Sequence, residues 1–443
     1  MSKKTKLVTW SLAVVLVVTL SITSIPAGAL GPFVEPEAVA IQTFQGEQIG
    51  DGFGWVAENL GDINGDGVND VIIPAPFHSI NGTLAGKVYV YSGSDGALLN
   101  AITGNEYDQF GWSASTAGDV NNDGTPDYIV GGIGSLEAPI RFKGRAVVYS
   151  GADHSVIHEF IGPDGAGFGY GVAGAGDVNE DGYDDVIIGA AFASFTFFRA
   201  GRVYVYSGNT GEELWHRDGN ASDDFLGSGV GRVGLVDQDG VPDLVAGAFG
   251  AGPANGGEAY VYSGSTGQTL LTLKPASHGT GLRFGQFFAS GAGDVNADGT
   301  PDIFVGDYPD RRGGGAGSGR AYVFSGADGS RLYLFNAEER GDGLGPGRGT
   351  GDVNGDGHAD LIIAAYTSDA GAVDGGRAYV RSGKDGSLMR TITGRIANDN
   401  LGVDALAVGD VNGDGLVDYL VTAVGNSFAG LDTGRAYIVA GVP

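Results

Sequence analysis

Beyond the first thirty residues, apolar positions fall in short runs bounded by Gly, Asp, Asn and Ser, and no stretch repeats at the helical period. Val71-Ile72-Ile73 and Val186-Ile187-Ile188 are continuous apolar runs. Lys87-Val88-Tyr89-Val90-Tyr91-Ser92-Gly93 and Arg202-Val203-Tyr204-Val205-Tyr206-Ser207-Gly208 read as strands that end in a turn, and Leu98 to Thr103 is a further strand after it. Along the first of these, Val88 and Val90 point to one face and Tyr89 and Tyr91 to the other. Both faces are apolar, which suits a sheet held between two neighbouring sheets rather than one half exposed to water.

The pattern recurs. Acidic segments reading GDINGDGVND, GDVNNDGTPD, GDVNEDGYDD, GLVDQDGVPD, GDVNADGTPD, GDVNGDGHAD and GDVNGDGLVD end at Asp70, Asp127, Asp185, Asp243, Asp302, Asp360 and Asp418, in steps of 57, 58, 58, 59, 58 and 58. Self-similarity at a fixed period marks a repeat architecture. An aromatic-glycine pair precedes each acidic segment in Phe53-Gly54, Phe110-Gly111, Phe168-Gly169 and Phe284-Gly285. It loosens to Phe225-Leu226-Gly227, Leu344-Gly345 and Leu401-Gly402 in the other units. Four short strands per unit predict an all-β, seven-bladed β-propeller of four-stranded blades. An open solenoid needs capping repeats, and a sandwich does not repeat seven times. The seventh unit stops at Tyr437-Ile438-Val439-Ala440-Gly441 without a fourth strand, while Ala40 to Gly46 matches the strand that is missing. The N-terminal strand is therefore expected to complete the last blade and close the ring, leaving no bare sheet edge.

In six units the acidic loop reads D-x-N-x-D-G-x-x-D, which sets hard oxygen ligands at positions 1, 3, 5 and 9, with the backbone carbonyl at 7. The ligand sets are Asp62, Asn64, Asp66, Val68 and Asp70; Asp119, Asn121, Asp123, Thr125 and Asp127; and Asp177, Asn179, Asp181, Tyr183 and Asp185. The later units supply Asp294, Asn296, Asp298, Thr300 and Asp302; Asp352, Asn354, Asp356, His358 and Asp360; and Asp410, Asn412, Asp414, Leu416 and Asp418. An EF-hand would need a Glu at position 12 and flanking helices, and has neither here. Three carboxylates around one point repel, each pair at 4 Å by about 1 kcal/mol in water and about 4 at an effective dielectric of 20, and a divalent cation removes that penalty. For a single copy an Asx turn is an equal alternative. Recurrence favours Ca2+, with magnesium disfavoured by its octahedral demand. The fourth unit has Leu235 at position 1 and keeps Asp237, Asp239 and Asp243, so weak or absent binding is expected there.

Lys3, Lys4 and Lys6, an apolar stretch from Leu7 to Ile22 and the small-residue run Ala27-Gly28-Ala29 have the form of a signal peptide over 1–29, leaving 30–443 as a single propeller domain. The apolar stretch is broken by Thr and Ser and is short for a membrane span, so no membrane insertion of the mature chain is expected. The chain has no cysteine, so export brings no disulfides. Its formal charge of −28 becomes −31 once the three lysines leave, which argues against nucleic acid or anionic lipid as a partner and favours cations. Glycine and proline make up 98 of 443 residues, but at fixed repeat positions, which sets the chain apart from disordered sequences.

Together, the Phe-Gly start, the acidic loop, the apolar-Gly-Ala segment (Ile188-Gly189-Ala190, Ala246-Gly247-Ala248) and the G-R-x-Y-V strand resemble the FG-GAP repeat of integrin α-subunit propellers, from about Ala40 to Pro443. The resemblance implies calcium loops on one face of the disc. It also implies partners on the other face, through loops joining the second strand to the third and the fourth to the next first. Nothing like an integrin's legs, membrane helix or tail is present in the sequence.

Two loops are candidate ligand contacts. Phe192, Phe195, Phe197, Phe198 and Arg199 form an aromatic-rich loop in the third unit, either an exposed contact surface or rings packed over their own blade. Tyr308, Asp310, Arg311 and Arg312 form a local cationic site in the fifth, or a solvated loop. Arg340-Gly341-Asp342 reads as coincidence in so Gly- and Asp-rich a chain, and His154 and His158 lack a third ligand for zinc. The reading favoured is a secreted, calcium-rigidified binding or adhesion module for an extracellular protein or glycan, outside the cell, at its surface or in a periplasm. The alternative is a secreted polysaccharide lyase or hydrolase on a propeller scaffold, and a lectin would repeat one contact in nearly every blade. No catalytic constellation stands out.

Overall fold

The computed structural model describes residues 31–79, 82–134, 143–276, 282–309, 317–425 and 433–442. Within them 28 strands form seven four-stranded antiparallel sheets, and the one helical element is the 3-10 turn Pro253–Asn255. Blade 1 consists of Glu58–Gly61, Asp70–Ala75, Lys87–Tyr91 and Leu98–Thr103, bonded in chain order. Blades 2 to 6 repeat this, with inner strands Phe110–Gly118, Phe168–Gly176, Leu226–Gly234, Ala289–Gly293 and Leu344–Gly351. Inner strands of successive blades pack on one another around the whole ring, blade 7 against blade 1 included.

Blade 7 joins the two ends of the chain. Leu401–Gly409, Asp418–Ala423 and Arg435–Val439 are followed in the sheet by Ala40–Gln45, with Thr43 opposite Tyr437 and Phe44 opposite Ala436. The expected closure by the N-terminal strand is present. A clasp ahead of that strand was not expected. Phe33 packs edge-on against Tyr437 at 5.3 Å, and the Glu35 carboxylate accepts the hydroxyls of Thr391 and Thr393 at 2.8 and 2.6 Å in blade 6. The seam is thus tied to two blades.

The second strand of every blade is buried at all six positions, and the outer fourth strands are largely half-exposed. Val88 and Val90 pack with Phe110, Val130 and Val147 of blade 2, whereas Tyr89 packs with Leu406, Leu420 and Ile438 of blade 7. The alternation read in the sequence therefore divides one strand between two interblade cores. Each buried aliphatic or aromatic side chain contributes roughly 1.5–3 kcal/mol, and with no disulfide these cores hold the ring.

The repeat's two glycines meet between blades. A Cβ on Gly189 would lie 2.0 Å from the carbonyl oxygen of Gly227 in the next blade, and one on Gly247 2.0 Å from that of Gly285. Glycine in the second strand thus lets the next blade's aromatic-glycine turn come into backbone contact. Where Pro74 or Ala364 replaces it, the facing Gly111 or Gly402 leaves the room instead.

Candidate metal loops, upper-face loops and axial chamber

Each acidic loop joins the inner strand to the second, so all seven lie on one face, called lower here. Loops joining the second strand to the third lie on the upper face. Asp62 accepts the amides of Gly65 and Asp66 on Oδ1, at 2.7 and 3.1 Å, and that of Gly67 on Oδ2 at 2.7 Å. Position 3 accepts the amide of position 5, and position 5 that of position 7, as Asn64 and Asp66 do at 2.9 Å each. The bonds from the fifth and sixth amides to the first aspartate recur at Asp119, Asp177, Asp294, Asp352 and Asp410. Glycine at position 6 has a positive φ, +86° at Gly67, which gives the turn its sharpness.

The ninth-position aspartate does something the sequence did not reveal. Asp70 is fully buried, and its Oδ2 accepts the amide of Ile63 at 3.0 Å while Oδ1 accepts that of Gly93 at 3.2 Å. Gly93 belongs to the Ser-Gly turn between the third and fourth strands. Asp127, Asp185, Asp243, Asp302, Asp360 and Asp418 bind Gly151, Gly208, Gly264, Gly326, Gly383 and Gly441 in the same way. The acidic loop is thereby stapled to its own blade. Burial pushes Asp70, Asp127, Asp185, Asp243 and Asp302 up to about 6, outweighing the amide bonds that stabilise the charge. Asp66 adds repulsion at Asp70, and Asp181 and Asp177 add it at Asp185.

Among the described residues no three His, Cys, Asp or Glu side chains converge as a bound metal requires. The donor set nonetheless fits calcium. It is all hard oxygen, its carboxylates sense each other's charge, and each carboxylate offers about four lone-pair sites, of which the amides take only some. In the fourth loop Leu235 is 44% exposed, and Asp237, Asp239 and Asp243 keep the remaining amide bonds. His358 turns its Nδ1 to the carbonyl of Val295 in blade 5 at 2.8 Å.

On the upper face, Phe195, Phe197 and Phe198 are 51, 45 and 62% exposed. Arg202 lies 3.8 Å over the Phe195 ring, and Arg199 lies 4.7 Å over Phe198 while pairing with Asp223 at 2.7 Å. Phe192, by contrast, packs against Tyr170 and Phe225. The loop is a displayed aromatic patch with one internal anchor. Tyr308 donates to Gln286 at 3.1 Å, whereas Asp310, Arg311 and Arg312 fall outside the described residues. Asp342 is 3% exposed and accepts the amide of Glu339, so the Arg-Gly-Asp tripeptide turns its acid inward. His154 meets the hydroxyl of Tyr128, and His158 the carbonyl of Gly208 in the next blade.

A chamber of about 660 Å³ runs along the axis between the inner strands. Rings from blades 1, 2, 3 and 5 meet at its upper end: Trp55 and Trp112 at 5.3 Å, Trp112 and Tyr170 at 5.5 Å, and Tyr170 stacked on Phe287 at 5.4 Å. Farther down, Arg348 of blade 6 donates to Glu58 of blade 1 at 2.7 Å and to both oxygens of Asp404 of blade 7 at 2.8 and 2.9 Å. Burial raises Glu58 above the usual carboxylate range, with Arg348 opposing and Asp404 reinforcing it. The sequence offered no hint of this triad.

With this geometry in view, comparison with known proteins defines the class first. The FG-GAP repeat model matches residues 53–91 and 168–206, each running from the aromatic-glycine pair through the third strand, and the FG-GAP-like repeat model matches 352–421. The chain is an FG-GAP repeat β-propeller resembling that of the integrin alpha subunits. It is 32% identical over 168 residues to integrin alpha-6 of Homo sapiens, covering 35% of this chain and 14% of that protein. It is 32% identical over 220 residues to integrin alpha-5 of Xenopus laevis (45% and 20%) and 30% over 224 residues to integrin alpha pat-2 of Caenorhabditis briggsae (45% and 18%). The chain thus spans a fifth or less of these relatives' length. No helix among the described residues is long and apolar enough to cross a membrane.

Proposed function

We propose that this chain is an extracellular binding module: a propeller stiffened by calcium in its six complete lower-face loops, which presents its upper face to a protein or glycan. The reading rests above all on Phe195, Phe197 and Phe198, three rings displayed on one upper-face loop, with Arg202 over Phe195 and Arg199 over Phe198. A cluster of exposed aromatic rings on a rigid scaffold is a contact surface in want of a partner. Likeness to integrin alpha subunits supports binding outside the cell, as does the leader-like segment at 1–29. Calcium sites of this type in extracellular modules have dissociation constants of about 10⁻⁴–10⁻³ M, so they would fill outside the cell.

The test is a screen of glycan arrays and purified surface proteins with and without calcium, repeated with Phe195→Ser, Phe197→Ser and Phe198→Ser combined. Binding in calcium that the triple variant loses at unchanged melting temperature is expected. A partner held equally well by the triple variant contradicts this use of the face.

A further inference from the structure

The axial chamber has a mouth, walls and a ceiling of distinct chemistry. Gly61, Gly118 and Gly176 line it where their inner strands end and the acidic loops begin, so it opens on the lower face. Its ceiling is the ring cluster of Trp112, Tyr170 and Phe287. The Arg348 triad stands in its wall, three positions along the inner strand from the ceiling, or about 10 Å at the rise of a strand.

The polar groups left over decide what the chamber could take. Both carboxylates are already satisfied: Arg348 bridges them, Asp404 also accepts the amides of Ala57 and Ala405, and Glu58 accepts that of Asn59. Little attraction remains for a cation. An anion would have to pass a mouth ringed by acidic loops on a chain of charge −28. Among the described residues that line the chamber, what stays unsatisfied is a set of donors, Nε1 of Trp112 and Nε of Arg348, together with the hydroxyl of Ser290. Buried donors without acceptors cost about 1–3 kcal/mol each, which an oxygen-rich ligand recovers. A ligand with apolar faces for the rings and neutral oxygens for those donors is a pyranose.

We propose that the axial chamber binds a neutral sugar unit, stacked under Trp112 and hydrogen-bonded by the indole, guanidinium and serine donors. Its volume lies within the range of roughly 300–1,000 Å³ usual for small-ligand sites. The site is separate from the Phe195 patch, so either can fail while the other stands.

The test titrates the full chain in calcium with methyl glucopyranoside, methyl galactopyranoside, maltose, cellobiose and chitobiose, read by tryptophan fluorescence and calorimetry. At least one is expected to saturate at millimolar concentration, and Trp112→Phe, which keeps a ring and removes the N–H, to bind it about tenfold more weakly. Ser290→Ala is expected to weaken it too, and carries the test alone should melting show that Trp112→Phe misfolds. No binding by any of the five overturns the proposal, as does binding that neither variant changes. So does methylguanidinium displacing the sugar, which would make this a cation site, or a sugar-soaked crystal with water only in the chamber.

Discussion

Arg348 donates to Glu58 at 2.7 Å although 290 residues separate them in the chain. The bond crosses the seam, because Asp404, on the other arm of the same guanidinium, belongs to the blade that both chain ends build. Blades 6, 7 and 1 are thus linked at the axis as well as by strand pairing. Asp404 is buried and Arg348 and Glu58 are half-buried, so removing the guanidinium leaves two largely enclosed carboxylates without their counter-ion.

Arg348→Met is therefore expected to destabilise the chain by about 3–5 kcal/mol, read by urea unfolding. Adding Glu58→Gln and Asp404→Asn to it should recover most of that loss, since no charge is then left unpaired. A single variant as stable as the parent would show that channel water already carries the charges.

Backbone contact between Gly247 and Gly285 predicts that a single methyl is costly. Gly247→Ala should lose about 1–3 kcal/mol or more, because the obstructing atom is a carbonyl oxygen that cannot rotate away. A loss under about 0.5 kcal/mol, the scatter of neutral substitutions, would mean that the blades can part at little cost.

Deleting residues 31–45 removes the closing strand, the Phe33 contact and the Glu35 bonds together. The truncated chain should melt lower and expose the edge of Arg435–Val439. A peptide of residues 31–46 added in trans should restore part of the lost melting temperature. Parental melting of the truncation would refute closure by backbone pairing.

Much of this was legible because the repeat is. The alternation of Val88 and Tyr89 announced a sheet covered on both sides, and the missing fourth strand of the last unit announced its replacement by Ala40 to Gly46. Period and binary pattern are local properties, and seven copies average out their noise. Glu58, Asp404 and Arg348 break the repeat, each once and in a different unit, so no periodicity marks them and only closure of the ring brings them together. The ninth aspartate was legible as a carboxylate facing its loop. Its bond to the Ser-Gly turn, 23 residues on in Asp70 and Gly93, was not, because that turn is an equally good turn without it.

The buried ninth aspartates give a pH signature. Five of them sit at about 6 when folded, against about 4 in an unfolded chain. A raised folded value means that the folded chain holds the proton more tightly, so their contribution is fully present below about pH 4 and is lost as pH rises through about 6. In chelator, melting temperature should rise as pH falls from about 7.5 to about 5, and falling net charge acts in the same direction. In millimolar calcium the trend should flatten or reverse, because protons then compete with the ion. The same rise with and without calcium would remove these carboxylates from the ion's neighbourhood.

The most direct test of a calcium-stiffened wheel is a calorimetric calcium titration of the chelator-stripped chain, paired with melting curves. Six ions per chain are expected, with the Leu235 loop unfilled. Melting temperature should climb as they bind, each site adding about 2.7 kcal/mol at a hundredfold excess over its dissociation constant. No heat of binding and an unchanged melting curve at millimolar calcium would contradict the account.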